Sequence, residues 1–418
     1  MELVVEGRAY VKGRLSNWCI GIEDGRIAEV GKNLRGEERL DCRHMMVLPA
    51  AIDPHVHFRD PGLTAKEDFA TGTLAAAFGG VGCVLDMPNT LPPSTGLRDL
   101  MEKKEAIARK SWVDHGLFAG CVPGGKLEEM TPHVAGFKMF MGSSTGKLLV
   151  TEDADMRRIG AAVKRADKVL SVHAEDEALI GKEAERDLGD HLRNRPSRAE
   201  ATAIRRLPAL GCRINVCHIS SAEGLQAAME LPFTTEVTAH HMLLDRDNGR
   251  GAFAKVNPPL RTADDRAALF QAFVAGKIDM LASDHAPHTI EDKSQEFDVA
   301  PSGTPGVETQ VPLMLAWAKK GVLPLEVLVK AMAERPAEVF GLNKGKIEVG
   351  RDADLMIVDT RTMGGIKVNN LHSKCGWTLY EGFDAIFPHA TMVRGSIVVE
   401  DGSVTGERAG RDVFGTGT

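Results

Sequence analysis

The sequence has no apolar run approaching the ~18 residues that a membrane span needs. It has no cluster of basic residues, and its formal charge is −7. Both features argue against a nucleic-acid or membrane-surface role. Its cysteines number seven, odd and irregularly spaced, which is not the pattern of a disulfide framework. Residues 1–7 lack the basic and apolar regions of a signal peptide. Repeats of solenoid period and low-complexity linkers are missing too. These absences lead to the expectation of a cytoplasmic protein with reduced thiols. What is present is ordinary globular composition, 418 residues with 43% hydrophobic and 26% charged. That length suits one large domain with an accessory one.

The ends of the chain differ in texture from its middle. Residues 1–48 hold short alternating stretches broken by glycine, and Asp24-Gly25 within 19–30 is a hairpin signal. The same texture returns over 341–418, with apolar runs at 353–358 and 392–399 and a second Asp-Gly turn at Asp401-Gly402. The expectation is a small β-sandwich domain built from both termini. Residues 49–340 alternate apolar runs with helical patterns, for example over 65–78, 153–166 and 264–275. Eight candidate strands end near His57, Asp86, Ala119, Phe140, His173, Ile219, Thr238 and Ser283. Their number and spacing predict an α/β fold, a (β/α)8 TIM barrel, with chemistry at the C-terminal ends of the strands.

His55-Val-His57 closes the first of these strands. Alternate side chains of a strand share a face, so the two imidazoles point together and can bind one first-row metal ion. Arg59 has the same parity and adds a planar charged fork suited to a carboxylate. An isolated His-x-His is common and equally describes two half-exposed histidines at a loop start. Residues further along the chain change the balance. Lys138 sits inside an apolar strand, where a lysine is costly unless partnered. His173 and His218 each end a separate strand, and Asp284 ends another, with His285 and His288 close behind. One strand-end histidine is usually structural. Four of them, with an aspartate and a buried lysine at one rim, point to a two-metal site.

The motifs His55-Val-His57-Phe-Arg59-Asp-Pro-Gly, Met87-Pro-Asn89-Thr90, Gly136-Phe-Lys138, the two later histidines, Lys255-Val-Asn257-Pro-Pro and Ser283-Asp284-His-Ala-Pro-His288 span most of the barrel. In that order they resemble the amidohydrolase superfamily and, within it, the dihydroorotases, of the stand-alone branch with a carboxylated-lysine metal bridge. The resemblance implies two Zn2+ per subunit. His55, His57 and Asp284 would bind one, His173 and His218 the other, and carboxylated Lys138 would bridge them. It also implies a reaction, the reversible cyclisation of N-carbamoyl-L-aspartate to L-dihydroorotate plus water in pyrimidine biosynthesis. Asp284 would carry the proton. Arg59 and Asn89, beside His57, would clamp the substrate carboxylate, and Asn257 and His288 would complete the pocket. Ser302 and Gly303 would offer backbone contacts to the ring from a loop over 291–306.

The implied partner is a small molecule, with no nucleic acid and no membrane. A homo-oligomer or an association with aspartate transcarbamoylase stays open. Allantoinases and hydantoinases share the metal site but lack the Arg59 and Asn89 clamp. A non-catalytic scaffold relative would have lost metal ligands, and all six positions are filled here. Other residues receive plainer readings. His240, His241 and His285 are structural or supporting, with orientation of a ligand one such role for His285. Cys217 points away from His218 as a core thiol, and Glu67 and Asp68 form a charged turn of the first helix unless they support the site from behind.

Overall fold

Two-residue turns build the first part of the chain. In the computed structural model, which describes residues 1–144, 148–247 and 250–415, β1 (Leu3–Val11) pairs antiparallel with β2 (Arg14–Glu23), and β2 with β3 (Arg26–Gly31). The end pairs are Val11↔Arg14 and Glu23↔Arg26, leaving Lys12-Gly13 and Asp24-Gly25 as the loops. All four loop residues have positive φ, 50°, 78°, 49° and 72°. This is the primed turn geometry whose twist matches the flanking strands. β4 (Glu38–Pro49) then lies parallel to β1 and leads into the barrel.

The barrel strands are β5 (Ala51–Val56), β6 (Val81–Asp86), β7 (Asp114–Gly120), β8 (Gly136–Phe140), β9 (Val169–His173), β10 (Arg213–Val216), β11 (Thr234–Val237) and β12 (Met280–Leu281). They form one parallel sheet in sequence order. A bridge between Val56 and His285, with the His57 amide donating to the His285 carbonyl at 2.7 Å, brings the last strand back to the first. The barrel is therefore nearly closed. Side-chain parity separates two cores. Val84, Leu117, Phe137 and Leu170 pack outward against the helices, while Leu85, Phe118, Val169 and Met280 share a core with helix Arg335–Phe340. That second cluster fills the barrel's lower end and leaves the upper end for polar residues.

The first barrel helix spans Phe69–Phe78, four residues later than the pattern over 65–78 suggests. Asp68 is its N-cap, accepting from the Thr71 amide in a capping box, so residues 65–67 lie outside the helix. Helices Asp153–Arg165 and Ala263–Val274 fall within a residue of expectation.

C-terminal to the barrel, β13 (Leu355–Val358) lies antiparallel to β4. β14 (Gly364–Gly365) and β15 (Asp384–Ala385) form a two-stranded ribbon. β16 (Ala390–Val393), β17 (Ser396–Glu400) and β18 (Ser403–Val404) extend the sheet begun by β13. The single run expected over 392–399 is two strands. Arg394-Gly395, with φ 45° and 76°, makes another two-residue turn inside it, and Asp401-Gly402, with φ 49° and 69°, makes the next. The result is one eight-stranded sheet ordered β18-β17-β16-β13-β4-β1-β2-β3. Val5, Ile20, Ile27, Val47, Leu355 and Met392 from both termini share its apolar core. No helix among the described residues is long and apolar enough to cross a membrane.

Candidate active site

The upper rim of the barrel collects the metal-ligand candidates. β5 delivers His55, and His57 follows one residue past its end. Their Nε2 atoms lie 3.4 and 3.2 Å from Asp284 Oδ1. Lys138, at the middle of β8, places Nζ 3.4 Å from His55 Nε2. His173 ends β9 and His218 lies two residues beyond β10. His173 Nδ1 and His218 Nε2 face each other at 3.1 Å. The ring centroids of His55 and His218 are 5.2 Å apart, so the two halves of the cluster adjoin. All six residues are buried.

Carboxylates behind the rings decide which nitrogen faces inward. Glu236 Oε2 sits 3.0 Å from His55 Nδ1, and Glu175 Oε2 sits 2.9 Å from His173 Nε2. His55 Nε2 and His173 Nδ1 are thereby left for the centre, the arrangement that orients metal-bound imidazoles. Burial, then Lys138, lowers the His55 pKa to about 3, and burial also lowers His57, His173 and His218. The neutral ring is the form with a lone pair to donate. Burial would push Glu175 up, but Arg195 and His173 together hold it low. Burial pushes Glu236 up to about 7.

This donor set fits a divalent metal of borderline softness. Ligand atoms of His55, His57 and Asp284 all lie within 4.8 Å of one another, as do those of His55, Cys217 and Glu236. A lysine ammonium has three donors and no lone pair, so Lys138 can join the set only with Nζ chemically altered.

Two expectations from the sequence are corrected by this geometry. Cys217 does not point away from the site, because Lys138 Nζ donates to its thiol at 3.0 Å. Strand alternation ends with β10 at Val216, and His218 adopts a left-handed φ of 35°, so Cys217 and His218 both turn inward. Glu67 is not a charged helical turn. It is fully buried, accepts from the Ser373 hydroxyl and lies 3.4 Å from His285 Nε2. Glu236, Glu175, Asp53 and Asp86 are supporting carboxylates that motif and spacing do not single out. The available signal is a carboxylate in or beside an apolar strand, the criterion that identifies Lys138.

The substrate-side candidates surround a small cavity of about 30 Å³, lined by the metal-ligand histidines, Asp284, Arg59, Asn89, Asn257, Ser302 and Gly303. Arg59 is 2% exposed with φ 62°, and among the described residues its Nε has no partner and no carboxylate lies within ion-pair distance of it. Asn257 Oδ1 is likewise buried without a partner among the described residues. Gly303 has φ 143°, and a Cβ there would meet the Ala286 carbonyl at 2.3 Å, so a side chain cannot be accommodated. His288 stands behind this wall. Its Nε2 is 3.0 Å from the Ser302 carbonyl and 3.5 Å from Arg59 Nη2, and Lys66 Nζ lies 2.9 Å from its Nδ1. A cavity of about 720 Å³ lies between the terminal sheet and the barrel, lined by Phe78, His372 and His389 among others, but by none of the metal-ligand candidates. The metal-ligand histidines and Asp284 line the small cavity instead.

His285 supports the rim through its backbone contact to His57 and through Nδ1, which accepts from the Gly306 amide at 3.1 Å. His241 is tied to Thr238 Oγ1 at 2.8 Å and the Pro258 carbonyl at 3.0 Å.

Known proteins share this architecture. The amidohydrolase family model matches residues 46–398. A dihydroorotase of Methanosarcina mazei is 41% identical, over 97% of this chain and 96% of that protein. One of Pyrococcus furiosus is 36% identical, over 100% and 97%. Among solved structures, the L-hydantoinase (dihydropyrimidinase) of Arthrobacter aurescens matches with a TM-score of 0.92 at 31% identity, covering 99% of both chains. A D-hydantoinase (dihydropyrimidinase) from Thermus sp. gives 0.90 at 27%, covering 99% of this chain and 98% of that one. The chain belongs to the amidohydrolase family and stands within it among the dihydroorotases.

Proposed function

We propose that this protein is a zinc-dependent dihydroorotase, interconverting N-carbamoyl-L-aspartate and L-dihydroorotate plus water. The observation that carries the substrate assignment is Arg59, a buried guanidinium without a carboxylate partner among the described residues, lining the same cavity as the metal-ligand histidines and Asp284. A cyclic amide bearing one carboxylate supplies that missing partner. Two Zn2+, held by His55, His57, His173, His218, Asp284 and carboxylated Lys138, would polarise the ring amide and lower the pKa of water toward neutrality.

Arg59 takes the carboxylate through two parallel charge-assisted hydrogen bonds, and Asn89 adds a further contact. Asn257 and the backbone of Ser302 and Gly303 hold the ring. His288 fixes the Ser302 carbonyl and backs Arg59. Asp284 accepts a proton from the attacking water and returns it to the departing ring nitrogen. In the biosynthetic direction the same carboxyl, protonated, delivers its proton as water leaves. The reaction belongs to pyrimidine nucleotide synthesis in the cytoplasm, on a small-molecule substrate. All proposed ligands come from one chain, so a second copy or a transcarbamoylase partner is not needed to complete the site.

The two solved structures described above are named hydantoinases, and hydantoin lacks the carboxylate that Arg59 would bind. Hydrolysis of dihydroorotate, hydantoin and allantoin in parallel tests the assignment. Dihydroorotate should give the highest kcat/KM. A preference for either uncharged ring would replace the assignment with that cyclic amidase.

A further inference from the structure

We propose that Lys103 is a positioning residue for substrate specificity, holding Asp86 to itself so that Arg59 stays free for the substrate carboxylate. The inference rests on the clamp proposed above and adds the device that keeps it open.

Lys103 belongs to helix Leu97–Ile107, on the outside of the barrel, yet it is only 1% exposed. Its ammonium donates to the Asp86 carboxylate and, at 3.0 Å, to the Met87 carbonyl. Asp86 ends β6 and is fully buried. Its other oxygen, Oδ1, accepts from the Phe58 amide at 2.7 Å. Phe58 immediately precedes Arg59, and Met87 lies two residues before Asn89. One buried ion pair therefore ties down the backbone beneath both arms of the clamp.

Charge sharpens the point. Arg59, Lys103 and Asp86 together carry a surplus of one positive charge in a water-poor region, and the substrate brings one carboxylate. Without Lys103, the charge still acting favourably on Asp86 is Arg59. Burial pushes the Asp86 carboxyl up, and a carboxylate that stays ionised without Lys103 would draw on that guanidinium. The clamp would then be partly neutralised from within. No other described cation lies within 4.0 Å of Asp86.

The test is the ratio of kcat/KM for dihydroorotate to that for its methyl ester, which keeps the ring and loses the charge. Lys103→Met should lower this ratio at least about tenfold, the equivalent of the weakest charge-assisted hydrogen bond. Asp86→Asn with Lys103→Met leaves Arg59 as the one surplus charge and keeps an acceptor for Phe58, so its ratio should return toward wild type. Asp86→Asn alone should hold the ratio or raise it. This order is not expected from a merely structural ion pair, for which the double variant would be no better than Lys103→Met. If Lys103→Met does not fold, the double variant carries the test, because it buries no unpaired carboxylate. Its ratio should then lie within a few-fold of wild type. An equal loss on both substrates, or a double variant as poor as the single one, overturns the inference and leaves the dihydroorotase assignment standing. Wild-type protein without dihydroorotate turnover removes that assignment, and this inference with it.

Discussion

The terminal sheet and the barrel rim both place non-glycine residues at positive φ, for different reasons. In the sheet these are Lys12, Asp24, Arg394 and Asp401, each the first of two turn residues and each followed by glycine. At the rim they are Arg59 at 62°, His218 at 35° and Asp284 at 45°. Such a conformation costs a non-glycine residue roughly 1–3 kcal/mol. In the sheet it serves the hairpin, and pairing of the flanking strands offsets it locally. At the rim a buried network holds it. Asp86 anchors the amide before Arg59, and Asp53 Oδ1 accepts from the amides of His55 at 3.2 Å and Ser283 at 3.1 Å, on either side of the barrel's closure. The lesson is that changes in the sheet should be felt as stability, and changes at the rim as chemistry or recognition.

The strongest challenge to that contrast is Asp284→Asn. It should lower kcat by ~10²–10⁴-fold, the usual weight of a general acid–base group. Thermal stability should stay near wild type, and elemental analysis should still approach two metals per chain. Near-normal turnover at full metal occupancy would remove Asp284 from proton transfer. Arg59→Met should come next, lowering kcat/KM for dihydroorotate by at least ~10²-fold, since two charge-assisted bonds are lost. The methyl ester should be affected only a few-fold. An equal loss on both would make Arg59 a support of the rim and not a recognition residue.

Lys293 tests whether a rim residue can act on stability alone. It is 1% exposed and donates to the carbonyls of Lys255, Pro301 and Gly303. Burial, then Lys255, lowers its pKa from 10.5 to about 7. Between those values the unfolded chain binds a proton that the folded chain lacks, so stability should rise with pH from that source. Between pH 7 and 8 the gain is at most about 1.4 kcal/mol. Urea denaturation of Lys293→Met should lack that rise, and parallel curves for the two proteins would show that Lys293 does not titrate there. The smallest effect is expected in the sheet. Gly25 has φ 72°, and a Cβ there would approach the Arg394 carbonyl at 3.0 Å. Gly25→Ala should cost about 1 kcal/mol in thermal denaturation and leave kcat unchanged. A fall in kcat would mean that the sheet and the rim are coupled.

The metal-ligand candidates are legible in the sequence because ligand chemistry and strand alternation are both local. His55, His57, Lys138, His173 and Asp284 stand in or beside apolar runs that can only be buried strands. Cys217 escapes that logic because alternation stops at Val216, and no local signal marks that end. Glu67 escapes it because a charged residue ahead of a helix looks the same whether the chain beyond covers it or not. Ser373 and Lys374, more than 300 positions away in sequence, cover it.

Three things were determined by the sequence alone: the kinds of side chain available for chemistry, the eight buried strands that carry most of them to one rim, and the Asp-Gly turns of the terminal sheet. Each depends on neighbours within a few residues, through steric limits on φ and the two-residue period of a strand. Tertiary structure decided the pairings. Glu236 orients His55 across 181 positions of sequence, and Lys103 reaches Asp86 from a helix on the outer face. The first requires the barrel to close and the second requires the helix to pack on its strand, since a hydrogen bond is made only where folding has brought donor and acceptor within about 3 Å.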